Sequence, residues 1–416
     1  MIIDWKTGSW KAKAEEAKSG ERLRITIAAD WAPIRMYEKI LLDNPLAIYG
    51  DLLPTLQNSD LSLVNVEGVL GEVGEPIPKG GPNLRGSEET VKALSAVPFH
   101  VACLANNHTM DFGPASLAHT IAVLHNAGLK TVGAGMSWDE AAAPLYIDLK
   151  GVKVAIINCA EGEECRSVRG GPGVYGLDDA AIAAQIKEVR AKASIVLVVF
   201  HGGREHTPLP PPYVVERLRR IAAAGVSAVV AHHPHVPQGI EFIDGVPIFY
   251  SLGNFVFWQD TESFYRHTGL LVSLDFAGAR LEGFRLTPYL IDSQGLMMLP
   301  EPVRTKLYQK LQYVSDLLKD PATVLAAWDA FIDHTGIDGL LSLLTRSAAA
   351  IQNGNIRGAV SIKNLFFTEA HRELYIRGME RIIRREFGSA PKWAMELVDH
   401  WLNYPYAEAL AGRDGE

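Results

Sequence analysis

The chain has 416 residues, which is longer than one ordinary domain of about 100–200 residues and long enough for two or three. Hydrophobic residues make up 48% of the sequence and charged residues 21%, a balance typical of a globular protein and not of a disordered one. The 40 Lys and Arg residues against 48 Asp and Glu residues give a formal net charge of −8, and no basic block occurs, so we predict no nucleic-acid partner.

The first segment in chain order, residues 1–22, is polar, and we predict it to be an arm with a short helical stretch. It lacks the apolar core of a signal peptide. No run of about 18 apolar residues, the length needed to span a bilayer, occurs in the sequence. We therefore expect a cytoplasmic protein without a membrane span.

The second region, residues 23–296, alternates short β-branched runs with segments of helical period. Continuous apolar strands separated by helices predict a largely parallel sheet with helices on both faces. The last two strands, 268–276 and 280–292, have no helix between them and are predicted to be antiparallel, so the sheet system is mixed. The other predicted strands are 23–30, 61–67, 100–107, 152–159, 194–200, 227–233 and 246–252, and the helices are 35–44, 87–97, 115–128, 178–193 and 212–225.

The third region, residues 297–416, has helical period and little β-branched content. We predict a helical C-terminal region of about 120 residues, which either mediates a homodimer or covers a site in the preceding region. Two long glycine-rich loops, 71–86 and 161–176, interrupt the central region and are predicted to line its pocket.

Chemically unusual residues occur where the predicted strands end. In open α/β sheets, ligands bind at the carboxyl ends of the strands. Carboxylates, amide oxygens and imidazoles collected there form a ligand set for hard or borderline divalent metals. The sequence therefore predicts a metal site at this edge, and the residues that follow the strands are Asp30, Glu67, Asn107, His108, Glu161, His201, His233, His235 and Asn254.

The sequence HHPH at 232–235 contains the densest group of imidazoles. Positions two apart in an extended segment project to the same side, so His233 and His235 can face one centre while His232 points away. His201 directly follows the strand at 194–200 and is a third candidate. The alternative is a His-rich loop that holds no ligand.

The sequence LANNHTMDFG at 104–113 offers both a ligand and an acid. Asn107 supplies a neutral carbonyl oxygen, and His108 can donate a proton. Asp111 can hold His108 in its protonated state through a hydrogen bond. The alternative is an Asn- and Asp-rich turn that caps the next helix.

Asp30 and Glu67 each end an apolar strand, where an unpaired carboxylate is costly to desolvate. A buried ionised carboxylate needs a cation. A metal ion is one source, and a salt bridge to Arg24, Arg35 or Arg85 is the alternative.

Basic residues lie in or beside the loops that overhang the predicted site. Their functional interpretation is an anion clamp for phosphate or carboxylate, and the alternative is that each is a solvated loop charge. Asn254, Glu161 and Glu205 are further candidates for contact with a substrate. The basic residues are Lys79, Arg85, Arg166, Arg169 and Arg204.

Six motifs in this chain resemble the CapA family, also called the poly-γ-glutamate capsule biosynthesis (PGA_cap) family. They are Asp30 after a strand, NVE at 65–67, LANNHTMDFG at 104–113, HGGRE at 201–205, HHPHVPQGIE at 232–241 and YSLGNFVF at 250–257. The resemblance covers about residues 23–260. Because that family is similar to the calcineurin-like metallophosphoesterases, the resemblance implies an α/β fold, an α/β/β/α sandwich with mixed sheets, followed here by the C-terminal helical region.

The resemblance also implies a centre of two divalent metal ions (Mn, Fe or Zn), with His108 as the acid that stabilises the transition state. The phosphoesterase motif D-x-H is incomplete here, because the chain has Asp30-Trp31-Ala32, so either the first ion binds weakly or Glu205 or His206 replaces the missing histidine. The implied ligands are Asp30 and His235 for the first ion, Glu67 as the bridge, and Asn107, His201 and His233 for the second.

Together these features predict a metal-dependent hydrolase that acts on an anionic substrate, either a phosphoester or a γ-glutamyl or peptidyl compound, through a metal-activated water. The alternative is an accessory or binding protein in poly-γ-glutamate biosynthesis that binds polymer without hydrolytic turnover.

Overall fold

The computed structural model describes residues 1–13, 20–97, 99–161, 165–167, 170–176 and 178–411. Its strands are β1 (Ser9–Lys11), β2 (Arg22–Trp31), β3 (Leu61–Val66), β4 (Val69–Leu70), β5 (Arg85–Gly86), β6 (Val101–Cys103), β7 (Lys130–Val132), β8 (Ala134–Gly135), β9 (Leu145–Leu149), β10 (Val152–Ala160), β11 (Gly173–Val174), β12 (Ile195–His201), β13 (Ala228–His232), β14 (Ile240–Ile243), β15 (Val246–Phe249), β16 (Thr268–Ala277), β17 (Arg280–Asp292) and β18 (Gly295–Met298).

The helices of the described residues alternate with these strands up to residue 223 and then follow them from residue 303 onwards. They are α1 (Met36–Asp43), α2 (Leu53–Gln57), α3 (Val91–Ala96), α4 (Gly113–Asn126), α5 (Trp138–Ala142), α6 (Asp179–Arg190), α7 (Pro212–Ala223), α8 (Val303–Leu317), α9 (Pro321–Gln352), α10 (Ile356–Phe367), α11 (Glu369–Ile383), α12 (Lys392–Asn403) and α13 (Tyr406–Leu410).

The first sheet has the strand order β1-β17-β16-β2-β3-β6-β7, and β18 pairs with β17. Strands β2, β3, β6 and β7 run parallel to one another, whereas β16 is antiparallel to both β2 and β17. This division follows the sequence pattern, because helices separate the parallel strands and β16 leads directly into β17. The predicted strand at 100–107 is only three residues long, since the chain turns after Cys103.

The second sheet has the order β14-β15-β13-β12-β10-β9, with a parallel centre and antiparallel edges. The two sheets face each other across the core, where the rings of Phe249 in β15 and Phe284 in β17 are 5.1 Å apart. Helices α6 and α7 pack on the second sheet, and α4 packs beside β7 of the first. The predicted mixed-sheet α/β/β/α sandwich with C-terminal helices is confirmed.

The C-terminal helices form a second apolar core around Trp328, Phe331, Leu374 and Val398. Helix α8 instead packs into the main core of the sandwich, through Leu307 and Leu311 among others. Helix α9 breaks at Gly336, whose φ of 76° is unusual for a residue with a side chain. The homodimer predicted for this region stays a prediction.

The N-terminal segment predicted as a polar arm supplies an edge strand, because β1 pairs antiparallel with β17. Trp10 anchors this strand, with its ring 5.2 Å from that of Phe242 in the second sheet. The central residues of the predicted helical stretch, 14–19, lie outside the described residues. Among the residues that the structure describes, no helix combines the length and apolar character needed to cross a membrane.

Candidate metal centre

The carboxyl ends of strands from both sheets meet at one edge of the sandwich. Asp30 lies at the end of β2, Glu67 directly follows β3, and His201 ends β12. The Glu67 Oε1 atom is 3.7 Å from His201 Nε2 and 3.9 Å from His235 Nε2. Asp30 Oδ2 is 3.6 Å from His235 Nδ1. The side chains that the sequence predicts as ligands are therefore brought together, although they are far apart in the chain.

Three overlapping groups of side chains at this edge have the geometry to hold metal ions. Within each group the ligand atoms lie within 4.8 Å of one another, and any two of the groups have one residue in common. The Asn107 Oδ1 atom adds an amide oxygen 3.0 Å from His201 Nε2. The groups are Glu67, His201 and His233; Asp30, Glu67 and His235; and Glu205, His233 and His235.

Glu67 provides the test of whether a cation fits here. Both carboxylate oxygens are buried, and neither has a hydrogen-bond partner among the described residues. The salt-bridge alternative is wrong, since the three arginines that could have supplied it bond elsewhere: Arg24 to Asp275, Arg35 to the Trp258 carbonyl and Arg85 to Glu72. A buried carboxylate without a cation is costly, so the residues fit a metal ion.

The protonation equilibria of these groups reflect the same burial. Burial raises the pKa of Asp30 to about 7 and raises the pKa of Glu67 well above its ordinary value. Burial lowers the pKa of His233 to about 3 and that of His235 to about 4. The chain alone thus disfavours charge on all four groups, whereas a divalent cation stabilises the carboxylate and neutral imidazole forms that act as ligands.

The pair His233 and His235 converges through a different local geometry from the one predicted. Strand β13 ends at His232, and His233 and His235 have φ values of 100° and 56°. The extended geometry predicted for this pair is therefore wrong. Left-handed backbone at non-glycine residues is strained and concentrates at functional sites, and His206 on the facing loop also has a positive φ, 63°.

His108 is held by a buried ion pair beside the metal-binding groups. Its Nδ1 atom is 2.7 Å from Asp111 Oδ2, while the Lys79 Nζ atom is 3.2 Å away and donates to Asp111 Oδ1 at 2.8 Å. A proton on Nδ1 would satisfy the shorter contact, because an ionised carboxylate only accepts, and Nε2 lies 4.0 Å from Glu67 Oε1. Burial and the Lys79 ammonium lower the pKa of His108 even though Asp111 opposes them.

Residues 25–259 match the protein family described as bacterial capsule synthesis protein PGA_cap, and this segment is more than half of the chain. The chain belongs to this family. Within the PGA_cap segment lie all the metal-binding groups described above.

Curated relatives of this PGA_cap protein extend the similarity. The PGA biosynthesis protein CapA of Bacillus subtilis is 29% identical over 323 residues, which span 75% of this chain and 83% of the relative. The capsule biosynthesis protein CapA of Bacillus anthracis is 33% identical, and the match spans 58% of this chain and 61% of the relative. A Mycobacterium tuberculosis protein, named as a probable polyglutamine synthesis accessory protein, is 30% identical over 54% of this chain and 64% of its own length.

A solved structure also resembles part of this PGA_cap chain. It is the 5′-nucleotidase from Candida albicans, 10% identical, with a TM-score of 0.39 and coverage of 75% of this chain and 60% of the other. At that TM-score it adds nothing to the assignment.

Sequence reasoning missed the polar residues behind the ligands. Asn65 Nδ2 donates to Asp30 Oδ1 at 2.8 Å, and Asn106 Nδ2 donates to the Val66 carbonyl at 2.8 Å. His232, predicted to point away from the metal toward packing or toward a contact with a ligand, has its Nδ1 atom 3.5 Å from Asp30 Oδ1. The signal for the two asparagines was their position one or two residues from a predicted ligand in a motif.

Two basic residues predicted as an anion clamp are engaged in contacts within the chain. The Lys79 side chain is buried in the ion pair with Asp111. The Arg85 guanidinium lies 3.6 Å from the Phe112 ring centroid and donates to the Val73 and Gly74 carbonyls. In this structure Lys79 supports His108 and Arg85 supports the loop at 71–86, and their predicted contact with a substrate stays a prediction.

The other predicted contact residues have different surroundings. Asn254 Oδ1 is 2.8 Å from His235 Nδ1 and so orients that ring. Glu161 accepts a hydrogen bond from the Tyr213 hydroxyl at 2.7 Å, and burial raises its pKa to about 7. Arg204 lies near the C-terminal helices, and Arg169 falls outside the described residues.

Proposed function

We propose that this protein is a metal-dependent hydrolase that acts on an anionic substrate, a phosphoester or a γ-glutamyl or peptidyl compound, with two divalent ions (Mn, Fe or Zn). The observation that carries the proposal is the buried Glu67 carboxylate, which has no hydrogen bond among the described residues and faces imidazoles of three separate segments. When bound, such ions polarise a substrate oxygen and make a water molecule nucleophilic near neutral pH.

The two ions would be held by residues that the structure has brought together. Asp30 and His235 would hold the first, and Glu67 would be shared between the two. Glu205 lies with His235 in one of the candidate groups, so it would replace the histidine missing from D-x-H. Glu67, Asn107, His201 and His233 would hold the second ion.

His108 moves the proton in this proposal. Asp111 fixes the ring through Nδ1, so that Nε2 faces the space next to Glu67 where a scissile bond would lie. In a substrate complex, Nε2 donates a proton to the leaving atom, and Asp111 stabilises the imidazolium before that transfer. Lys79 balances the charge of Asp111 and keeps it in place.

The test combines metal analysis with a substrate screen. Protein purified without chelator should contain Mn, Fe or Zn, and it should hydrolyse at least one member of a panel of phosphomonoesters, phosphodiesters and γ-glutamyl amides. Changing Asp30 or His233 to Ala should abolish turnover while the circular dichroism spectrum stays the same. A content of less than about 0.2 metal ions per chain would overturn the proposal, and so would turnover by a variant that carries both the Asp30 and the His233 substitution.

A second candidate is an accessory protein that binds polyglutamate in the same cleft without turnover. Ala32 favours this candidate, because it stands where the D-x-H motif has its histidine and supplies no ligand atom. It packs in an apolar cluster with Ile34, Leu84 and Phe257. The name of the Mycobacterium tuberculosis relative favours it as well. Polyglutamate binding by the metal-loaded protein, with no hydrolysis of any panel member, would support this candidate over the hydrolase.

A further inference from the structure

Arg204 occupies the loop between β12 and α7, one residue before Glu205. Its guanidinium lies 5.6 Å from the ring centroid of Phe331 in α9. Its Nε atom is shielded from solvent and has no hydrogen-bond partner among the described residues. Other partly buried arginines of the chain, such as Arg217 and Arg377, form short ion pairs with carboxylates. Arg204 therefore differs from them in forming no ion pair with a carboxylate among the described residues, although it is next in the chain to Glu205.

Arg266 is a second cation at the same edge, in a 3-10 turn at Phe264–His267. Its Nε atom donates to the neutral Gln259 side chain at 2.8 Å, and it forms no ion pair with the described carboxylates. Its carbonyl accepts a hydrogen bond from Asn254, the residue that orients His235. This main-chain contact places the turn that carries Arg266 one side chain away from His235, and the charge of Glu205 acts on the Arg266 guanidinium.

The C-terminal helices lie on one side of Arg204, which contacts Phe331 of α9. Arg217 of α7 pairs with Glu369 at 2.8 Å, which fixes the first turn of α11 against the sandwich. His371 follows two residues later, and the charges of Arg204 and Glu205 both act on it. Helix α10 closes the other side, where the Asn364 side chain lies so near Gly80 of the 71–86 loop that an added Cβ atom would be 2.9 Å from its Nδ2 atom.

His206 supplies another polar atom without a partner. Its Nε2 atom is shielded from solvent and makes no hydrogen bond to the described residues, and its ring centroid is 6.2 Å from that of His235. Glu205 contributes one negative charge nearby, but its carboxylate belongs with His233 and His235 among the metal-binding groups. Two arginines without an ion pair among the described residues, one of which also has a buried Nε atom without a hydrogen bond, indicate a place for an anion at this edge.

We propose that Arg204 and Arg266, together with His371 of the C-terminal helices, form the subsite that binds an oxyanion of the substrate, a carboxylate or a phosphate, beside the metal centre. The inference rests on the proposed function, because it places the anionic group of the hydrolase's substrate. The arginine guanidinium matches both oxyanions through parallel hydrogen bonds. The C-terminal helices are then part of the active site and not only its cover.

The experiment measures binding of two probes, inorganic phosphate and L-glutamate, to the full chain after chelation of metals, by calorimetry at low salt. Wild-type protein should bind one probe, and that probe identifies the oxyanion. Arg266→Gln and Arg204→Gln should each weaken its binding about tenfold or more, the usual loss for a charge-assisted hydrogen bond. Arg266→Lys keeps the charge but not the paired donors of the guanidinium, so its dissociation constant should lie between those of the wild type and Arg266→Gln.

The matched control is Arg285→Gln, which removes the same charge from an exposed position on β17 and should change the dissociation constant less than twofold. Thermal melting identifies any variant that fails to fold. If Arg266→Gln does not fold, Arg266→Lys replaces it in the test. His371→Gln should raise KM for a hydrolysed panel substrate and leave kcat within about threefold.

Two results would overturn the subsite. One is the absence of binding of either probe by the wild-type chain, and the other is equal weakening by the Arg266 and Arg285 substitutions. Failure of the proposed function would look different: the chain would lack metal and turnover, while the arginine substitutions would still weaken binding of the probe.

Discussion

Two regions of this protein bury carboxylates, and they treat them in opposite ways. In the C-terminal helices, Arg377 donates to both oxygens of Asp329 at 2.8 Å, and Arg381 donates to Asp333 at 2.7 Å. At the edge of the sheets, Asp30 and Glu67 are fully buried, yet no Lys or Arg among the described residues lies within 4.0 Å of either. In the first arrangement the folded chain supplies the countercharge, and in the second no described Lys or Arg supplies one.

The comparison teaches how to separate structural from functional burial of charge. A helix-to-helix ion pair costs desolvation that its own partner offsets. The carboxylates of the metal centre face imidazoles that burial keeps neutral, so the chain supplies ligand atoms there and no countercharge. The same substitution, a carboxylate changed to its amide, should therefore have different consequences in the two regions.

The largest expected effect is that of Glu67→Gln. The amide keeps the shape of the side chain but removes the charge that the two ions share, so metal content should fall below about 0.2 per chain and turnover should cease. Metal analysis and a panel assay measure both. The free energy of unfolding after chelation should stay within about 1 kcal/mol of wild type, because no described cation loses its partner. If Glu67→Gln retained the metal content of the wild type, the proposed difference between the two regions would be wrong.

The next effect in size is that of His108→Gln, which removes the proton donor and leaves the metal-binding groups in place. We expect kcat to fall by about 10²–10⁴, the usual contribution of general acid catalysis, with unchanged metal content. The assay uses whichever panel substrate the wild-type chain hydrolyses. If kcat stayed within threefold of wild type, the role given to His108 would be wrong.

Asp333→Asn is the counterpart of Glu67→Gln in the C-terminal helices. It leaves Arg381 with Asp329 as its remaining carboxylate partner, so the free energy of unfolding should fall by about 3 kcal/mol, the lower end for a broken buried pair. Denaturant titration after chelation measures this loss. Metal content should match wild type, and a loss of metal without a loss of stability would contradict the comparison.

The smallest of these effects is expected for Asn254→Leu. Asn254 Oδ1 is 2.8 Å from His235 Nδ1, so the substitution removes the group that orients a metal-binding ring without removing a ligand. Metal affinity should fall about 10–100-fold, as for other partners of metal-binding histidines. Competition with a chromogenic chelator measures it, and an unchanged affinity would mean that packing alone, including the Phe257 ring 5.1 Å away, orients His235.

Much of the fold was predictable because its signals are local. The alternation of apolar runs and helical periods predicted β2, β10, β12 and β16 within about two residues at each end. The grouping of Asp30, Glu67, His201, His233 and His235 could be predicted for a related reason, since each of them ends or follows a predicted strand. The edge strand β1 was not, because three residues paired by β17 have no pattern of their own.

What the sequence could not predict depends on contacts between distant segments. Lys79 and Arg85 have the composition of an anion clamp, but Asp111 and Phe112 engage them only once the 71–86 loop has folded over the site. Arg266 carried no motif, and the contact of its carbonyl with Asn254 depends on the turn that precedes β16. The left-handed backbone at His233 and His235 likewise has no signal in residue type.

The most direct test of the central claim is a crystal structure of the metal-loaded chain with anomalous data collected at the absorption edge of the bound metal. We predict two anomalous peaks about 3.5–4 Å apart, one on each side of the Glu67 carboxylate. Strong anomalous data without a peak within about 3 Å of Glu67 would contradict the account.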